Sequence, residues 1–108
     1  MINRLMIAGF GGQGVMMIGK LIGQCAMEQD LNATFFPSYG AEQRGGTANC
    51  TVIQSDRMIG SPTSGRLDVL CALNQPSMVD FLPRLRPGGT LLVNSSIVDT
   101  SGVSRDDI

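Results

Sequence analysis

Histidine is absent from the 108 residues, which removes the commonest general base and with it every Ser-His-Asp or Cys-His nucleophile pair. Cysteine is scarce. Cys25, Cys50 and Cys71 lie far apart, with no CxxC spacing to begin a zinc set. Three thiolates also fall short of the usual four that hold an iron–sulfur cluster. All three are expected to be buried small hydrophobes, on a helix, a strand and a strand. No metal ligands are expected. Neither sign of charge dominates, since eight basic residues face nine acidic ones for a net charge of -1. Without a run of Lys or Arg there is no footprint for nucleic acid or an anionic membrane. Long hydrophobic runs are missing as well: no stretch approaches the roughly 18 apolar residues of a membrane span. The chain reaches the polar pair Asn3-Arg4 at once, without a signal-peptide core, so a cytoplasmic location is expected. Any chemistry is expected to be completed by residues of another chain.

Glycine, by contrast, is well supplied and concentrated where it matters. Arg4 to Ala8 leads as a short apolar strand into Gly9-x-Gly11-x-x-Gly14, and a helix-periodic segment follows. Such a turn cradles phosphate: glycines admit positive φ and close backbone approach, and the following helix N-terminus favours an anion. The alternative is a tight strand-to-helix turn with no ligand.

The length suits one small α/β domain. Strand-like and helix-like segments alternate. Leu5 to Ala8 reads as a buried strand, and Val15, Ile18, Ile22 and Cys25 give one apolar face to a helix from about Val15 to Gln29. Ala33 to Phe36 reads as a second strand stopped by Pro37, and Thr47 to Ser55 as a third, with Ala48, Cys50 and Val52 on one face. Val69 to Leu73 is a further strand; Pro76 sits like a first-turn proline of a helix that Pro83 ends or kinks. Pro87-Gly88-Gly89 predicts a turn into a last strand, Thr90 to Asn94, and Ser95 to Ile108 reads as polar without a packed element. The expected fold is α/β and Rossmann-like, a largely parallel sheet with flanking helices.

In such a sheet ligands bind outside the carboxyl ends of the strands, and the polar motifs fall there. They are Gly9 to Gly14, Ser38 to Thr47, Asn74-Gln75 and Asn94-Ser95-Ser96. Asn74 and Ser95 fit plain turn chemistry equally well. The Tyr39 to Thr47 segment combines an aromatic, a carboxylate, a guanidinium and Gly45-Gly46, and Arg44 beside exposed amides suits phosphate or carboxylate. Its alternative is an internal Glu42–Arg44 pair on a solvated loop. A NAD site would place an acidic residue at the end of the second strand to hold the ribose. Here that place is Phe36-Pro37-Ser38. Asp30 comes too early and Glu42 too late, whereas Ser38 and Arg44 leave NADP less excluded.

Gly9-Phe10-Gly11-Gly12-Gln13-Gly14-Val15, the run Phe36 to Cys50, Ser61-Pro62, Leu73-Asn74-Gln75-Pro76 and Pro87-Gly88-Gly89 through Asn94-Ser95-Ser96 resemble the gamma subunit of 2-oxoacid:ferredoxin oxidoreductases. The resemblance spans nearly the whole chain. It implies one gamma-type domain over residues 1–108, the first part of a domain that in the family continues past the equivalent of Ile108. It implies a thiamine-diphosphate enzyme that oxidatively decarboxylates a 2-oxoacid, passes electrons through iron–sulfur clusters to ferredoxin and transfers the acyl group to coenzyme A. Thiamine diphosphate, magnesium and the clusters would lie on alpha, beta and ferredoxin-like delta partner subunits, and this chain alone would be inactive. The gamma domain would close over the active site and help hold coenzyme A. Gly9, Gly11, Gly12, Gln13 and Gly14 would face its phosphates, with Tyr39, Arg44, Gly45 and Gly46 lining the same cleft. No catalytic residue is assigned. Loose similarity of Phe36 to Cys50 makes 2-oxoglutarate the first expectation for substrate, and a homodimer is expected when the chain is isolated. The other readings are a free-standing NADP-binding reductase and a non-catalytic adaptor.

Overall fold

Alternating apolar and turn-forming segments produce a mixed α/β sheet in the computed structural model, which describes residues 2–10, 14–39, 47–59 and 66–108 and all their side chains but those of Tyr39 and Thr47. In chain order the elements are β1 (Ile2–Phe10), α1 (Val15–Glu28), β2 (Asn32–Tyr39), β3 (Thr47–Ser55), β4 (Leu67–Ala72), α2 (Gln75–Phe81), a 3-10 turn (Leu82–Arg84) and β5 (Leu85–Val93). The sheet order is β2-β3-β1-β4-β5. β1 pairs in parallel with β4, and β4 with β5; β3 runs antiparallel to both β1 and β2. Among the described residues, four of the five strands therefore point the same way and β3 is reversed. That reversal follows from a short connection, since a parallel return would need a crossover of a dozen or more residues.

Side chains alternate across β1 and so serve two cores. Ile7 joins Val15, Cys50 and Val52 beneath α1, and Met6 and Ala8 join Leu67, Leu70, Ala72, Met78 and Leu85 beneath α2. The helices thus cover opposite faces.

α1 keeps the predicted start and face, with one correction. Cys25 is exposed, not buried, and the packed positions are Val15, Gly19, Gly23 and Ala26. At 3.6 residues per turn the stripe continues from Ile22 to Ala26 and passes Cys25 by. Gly19 is required by a close approach: a Cβ there would overlap Cys50 Sγ and lie 2.8 Å from the Phe35 ring. Cys50 is buried as expected, its thiol donating to the Val15 carbonyl at 3.4 Å, and Cys71 is half-buried.

Three other expectations are corrected. Pro37 does not stop β2; it sits within the strand opposite Cys50, and β2 is an edge, where a missing N–H interrupts no ladder. Pro87-Gly88-Gly89 does not precede the last strand but lies inside β5. The register there jumps from Leu67↔Leu85 to Val69↔Thr90, so Asp68 alone faces the four residues 86 to 89. Gly88 takes φ 78° at this bulge. Finally, the segment after β5 has no helix or strand but does pack. Val98 is buried in the α2 core with Val103 and Ile108 against it, and Arg105 donates from one guanidinium nitrogen to the Leu82 and Leu85 carbonyls at 3.1 and 2.7 Å.

Candidate functional site

The strand order reverses direction between β1 and β4. β1 leads through α1 to one side of the sheet, and β4 leads through α2 to the other. Outside the carboxyl ends of such a strand pair the loops diverge and leave a crevice. Leu73 N–H donates to the Ala8 carbonyl at 2.8 Å, extending the seam to the mouth of that crevice.

The end of β1 and the start of α1 flank this crevice. Gly9 is a buried residue of β1 opposite Ala48, and Phe10 ends the strand opposite Thr47. Gly14 is the N-cap of α1 with φ 84° and ψ 15°, a left-handed conformation, and its carbonyl accepts the first helical bond from Ile18 N–H at 2.9 Å. Among the described residues, a Cβ at Gly14 would meet nothing within 4 Å. Glycine is therefore needed for its backbone angle. Gly11, Gly12 and Gln13 lie outside the described residues.

β2 ends at the same place. Tyr39 ends β2 opposite Ala48, so Gly9 and Tyr39 flank the same β3 residue from either side. The reversal of β3 brings the two sequence-predicted segments to one end of the sheet. Arg44, Gly45 and Gly46 lie outside the described residues, as does the Ser61-Pro62 pair.

In the two remaining polar motifs, Asn74, Gln75 and Asn94 all have structural duties, and Asn74 stands beside the crevice. Asn74, 3% exposed, caps α2: its Oδ1 accepts from Ser77 N–H at 2.9 Å. Its Nδ2 and the Ser77 hydroxyl are buried without a hydrogen-bond partner among the described residues, at the point where β4 leaves the seam. Sequence reasoning treated Asn74 as an even choice between turn and site; its burial was not visible there. Gln75 instead holds the C-terminal segment, donating from Nε2 to the Asp99 carbonyl at 3.0 Å and accepting from Asp99 N–H at 2.6 Å. Asn94 makes a local turn, accepting from Ser96 N–H at 3.1 Å.

The geometry also bears on the choice of ligand. Asp30, in the turn after α1 with φ 61°, lies at the amino end of β2, across the sheet from the glycine turn, so it cannot hold a ribose there. Asp68 is likewise remote, accepting from Arg4 N–H at 2.8 Å and pairing with Arg86. Burial pushes the Cys50 and Cys71 thiols above their ordinary range, which suits packing and not nucleophilic attack. Among the described residues no group of three or more His, Cys, Asp or Glu side chains is placed to hold a metal ion.

Comparison with known proteins agrees with this architecture. Residues 4–107 match the family model for pyruvate ferredoxin/flavodoxin oxidoreductase. The ketoisovalerate oxidoreductase subunit VorA of Methanothermobacter thermautotrophicus is 44% identical over 99 residues, covering 92% of this chain and 21% of that protein. The 2-oxoglutarate synthase subunit KorC of Methanothermobacter marburgensis is 38% identical over 97 residues, covering 89% of this chain and 52% of its own length. The keto/oxoacid ferredoxin oxidoreductase gamma subunit from Geobacter sulfurreducens superposes with a TM-score of 0.75 at 32% identity, over 90% of this chain and 53% of that one. The chain therefore spans between a fifth and a half of the length of these relatives.

Proposed function

Because the chain belongs to the pyruvate ferredoxin/flavodoxin oxidoreductase family, we propose that it is a gamma-type domain, or the first part of one, in a multi-subunit 2-oxoacid:ferredoxin oxidoreductase. Its part is to bind coenzyme A and close the active site. The observation that carries this reading is the crevice between β1 and β4, walled by a left-handed Gly14 at the head of the 14-residue α1. Backbone N–H groups at a helix start are oriented for a diphosphate and need no acidic ribose anchor. Arg44 would add a charge-assisted contact, and Tyr39 would flank the same opening.

The division of labour follows. Thiamine diphosphate supplies the stabilisation of the decarboxylated carbanion, and it belongs with magnesium and the iron–sulfur clusters on alpha, beta and delta partner subunits, with ferredoxin as acceptor. This chain binds, orients and excludes water. The substrate is a 2-oxoacid, set by the partners; 2-oxoglutarate, the acid named for KorC, and ketoisovalerate, named for VorA, are the two to compare.

In the assembled enzyme, Gly14→Val and Arg44→Ala should each raise the apparent KM for coenzyme A about tenfold or more. Valine is strained at φ 84°, and losing a charge-assisted hydrogen bond costs roughly 1.5 to 3 kcal/mol, where about 1.4 kcal/mol is tenfold. The KM for the 2-oxoacid and the coenzyme-A-independent decarboxylation half-reaction should stay near wild type. Unchanged coenzyme A kinetics in both folded, assembled variants would refute the assignment. The chain alone, given 2-oxoacid, coenzyme A, thiamine diphosphate, magnesium and a viologen dye, should show no turnover.

A further inference from the structure

α2 has 7 residues, too few for a helix to be stable on its own. Among the described residues the core beneath it takes in Met78, Phe81 and Leu82 and nothing from Gln75 or Pro76. Its first turn, the end beside the crevice, is therefore without an apolar anchor. The bond from Ser77 N–H to Asn74 Oδ1 closes within that turn and ties it to nothing else.

The segment after β5 supplies the tie. Gln75, the first residue of α2, donates to the Asp99 carbonyl at 3.0 Å and accepts from Asp99 N–H at 2.6 Å, so one carboxamide engages both backbone groups of one residue. Val98, 4% exposed and packed in the core, pins Asp99 from the preceding position. Beyond α2, Arg105 donates to the Leu82 and Leu85 carbonyls, and the Asp107 carboxylate grips the same guanidinium at 3.0 and 2.7 Å. The Asp107 carbonyl in turn accepts from Gly88 N–H at 2.6 Å, at the β5 bulge. Between these two anchors the segment stands off from the helix. A cavity of about 370 Å³ separates Met78, Val79 and Leu82 from Ser101, Gly102 and Val103, and one of about 340 Å³ opens on the other flank, between Leu91 and Arg105. Close packing transmits position from one element to the next. Where it is missing, the polar anchors carry that role.

We propose that Gln75 is a positioning residue: its paired bonds to Asp99 make residues 98–108 a strap that fixes the first turn of α2, and with it Asn74, at the side of the β1/β4 crevice. The buried Asn74 Nδ2 and Ser77 hydroxyl lie in that turn. That strap and turn move together follows from the fold; that loosening them weakens coenzyme A rests on the function proposed above.

Hydrogen exchange of the assembled enzyme reads the coupling directly. Residues 74–82 and 98–108 should exchange as one cooperative unit in the wild type. Gln75→Met, close in length but without either hydrogen-bonding group, should speed exchange about tenfold in both segments and leave α1, β1 and β3 at wild-type rates. Arg105→Met should loosen 98–108 and affect 74–82 less. The apparent KM for coenzyme A should rise about threefold to tenfold in Gln75→Met, with kcat and the 2-oxoacid KM within about twofold of wild type, a split that a general loss of stability does not produce. Unchanged exchange in 74–82 of Gln75→Met, or equal acceleration across the whole sheet, would overturn the proposal. So would a coenzyme A KM that Gly14→Val raises and Gln75→Met does not. A KM unmoved by both substitutions would instead overturn the coenzyme A reading, and the strap would be decided by the exchange rates.

Discussion

Gly19 and Gly23 lie one turn apart on the packed side of α1, and their surroundings differ. A Cβ at Gly19 would strike Cys50 Sγ and the Phe35 ring, whereas one at Gly23 would meet nothing within 4 Å. Gly19→Ala should therefore destabilise by about 1 to 3 kcal/mol from overpacking, offset in part by the helix preference of alanine. Gly23→Ala has the preference without the clash and should stabilise by roughly 0.5 to 1 kcal/mol. Urea midpoints of the two variants, shifted in opposite directions, would bear this out; a loss of stability in both would mean that the packing at Gly23 is tighter than it looks. At this scale the sequence is a poor guide. Gly19, Gly23 and Cys25 carry no mark of which one touches the sheet, and helical spacing from apolar residues alone selected Cys25 over Ala26.

Among the elements, β3 was legible to its end residues, since Thr47 to Ser55 is β-rich throughout and bounded by loop segments. The start of α1 and the first-turn Pro76 of α2 were legible for the same reason, that local chemistry fixes them. Pro37 and the Pro87-Gly88-Gly89 run were misread because their meaning depends on neighbours: an edge position permits the proline, and a bulge opposite Asp68 absorbs the extra residues. The reversed direction of β3, which brings Tyr39 and Gly9 to either side of Ala48, is also a property of pairing that no segment carries by itself. α2 has only 7 residues, so its cap matters. Asn74→Ala removes the acceptor for Ser77 N–H but also an unpaired buried donor, and the expected loss is about 1 kcal/mol, near the middle of the usual range for caps. Asn74→Ser, which keeps an acceptor oxygen, should recover much of it. Chemical denaturation with an unchanged m-value is the measurement, and equal losses in the two variants would assign Asn74 a role other than capping.

For the whole molecule, the absence of histidine leaves no side chain whose ordinary pKa lies between about 5 and 8, so stability should be level through that range. The slope should come on the alkaline side. Burial raises the Cys50 and Cys71 thiols above their ordinary value of 9.0, so the folded chain holds these protons more tightly than the unfolded chain. Their contribution is complete below pH 9 and declines as pH rises through the folded-state values. Melting temperatures between pH 8 and pH 10.5 should fall, and Cys50→Ala should flatten that fall while lowering the plateau. An undiminished slope in Cys50→Ala would show that other groups dominate. Of the described residues beside the crevice, the positive φ of Gly14 and the placement after the strands were legible in the sequence, whereas the buried amide of Asn74 and the diversion of Gln75 to Asp99 required the packed molecule.

The seam between β1 and β4 joins residues that are 64 positions apart, Leu5 with Val69 and the Arg4 amide with Asp68, whereas β2 and β3 pair across a single connection. Closing the longer loop costs more chain entropy before any contact rewards it. Assembly should accordingly proceed from the half containing α1, β2 and β3, with β4 docking late. The crevice straddles that seam. It comes into being only when the slowest pairing closes, so a chain in which β4 has not yet docked would hold α1 with its Gly14 cap and no crevice.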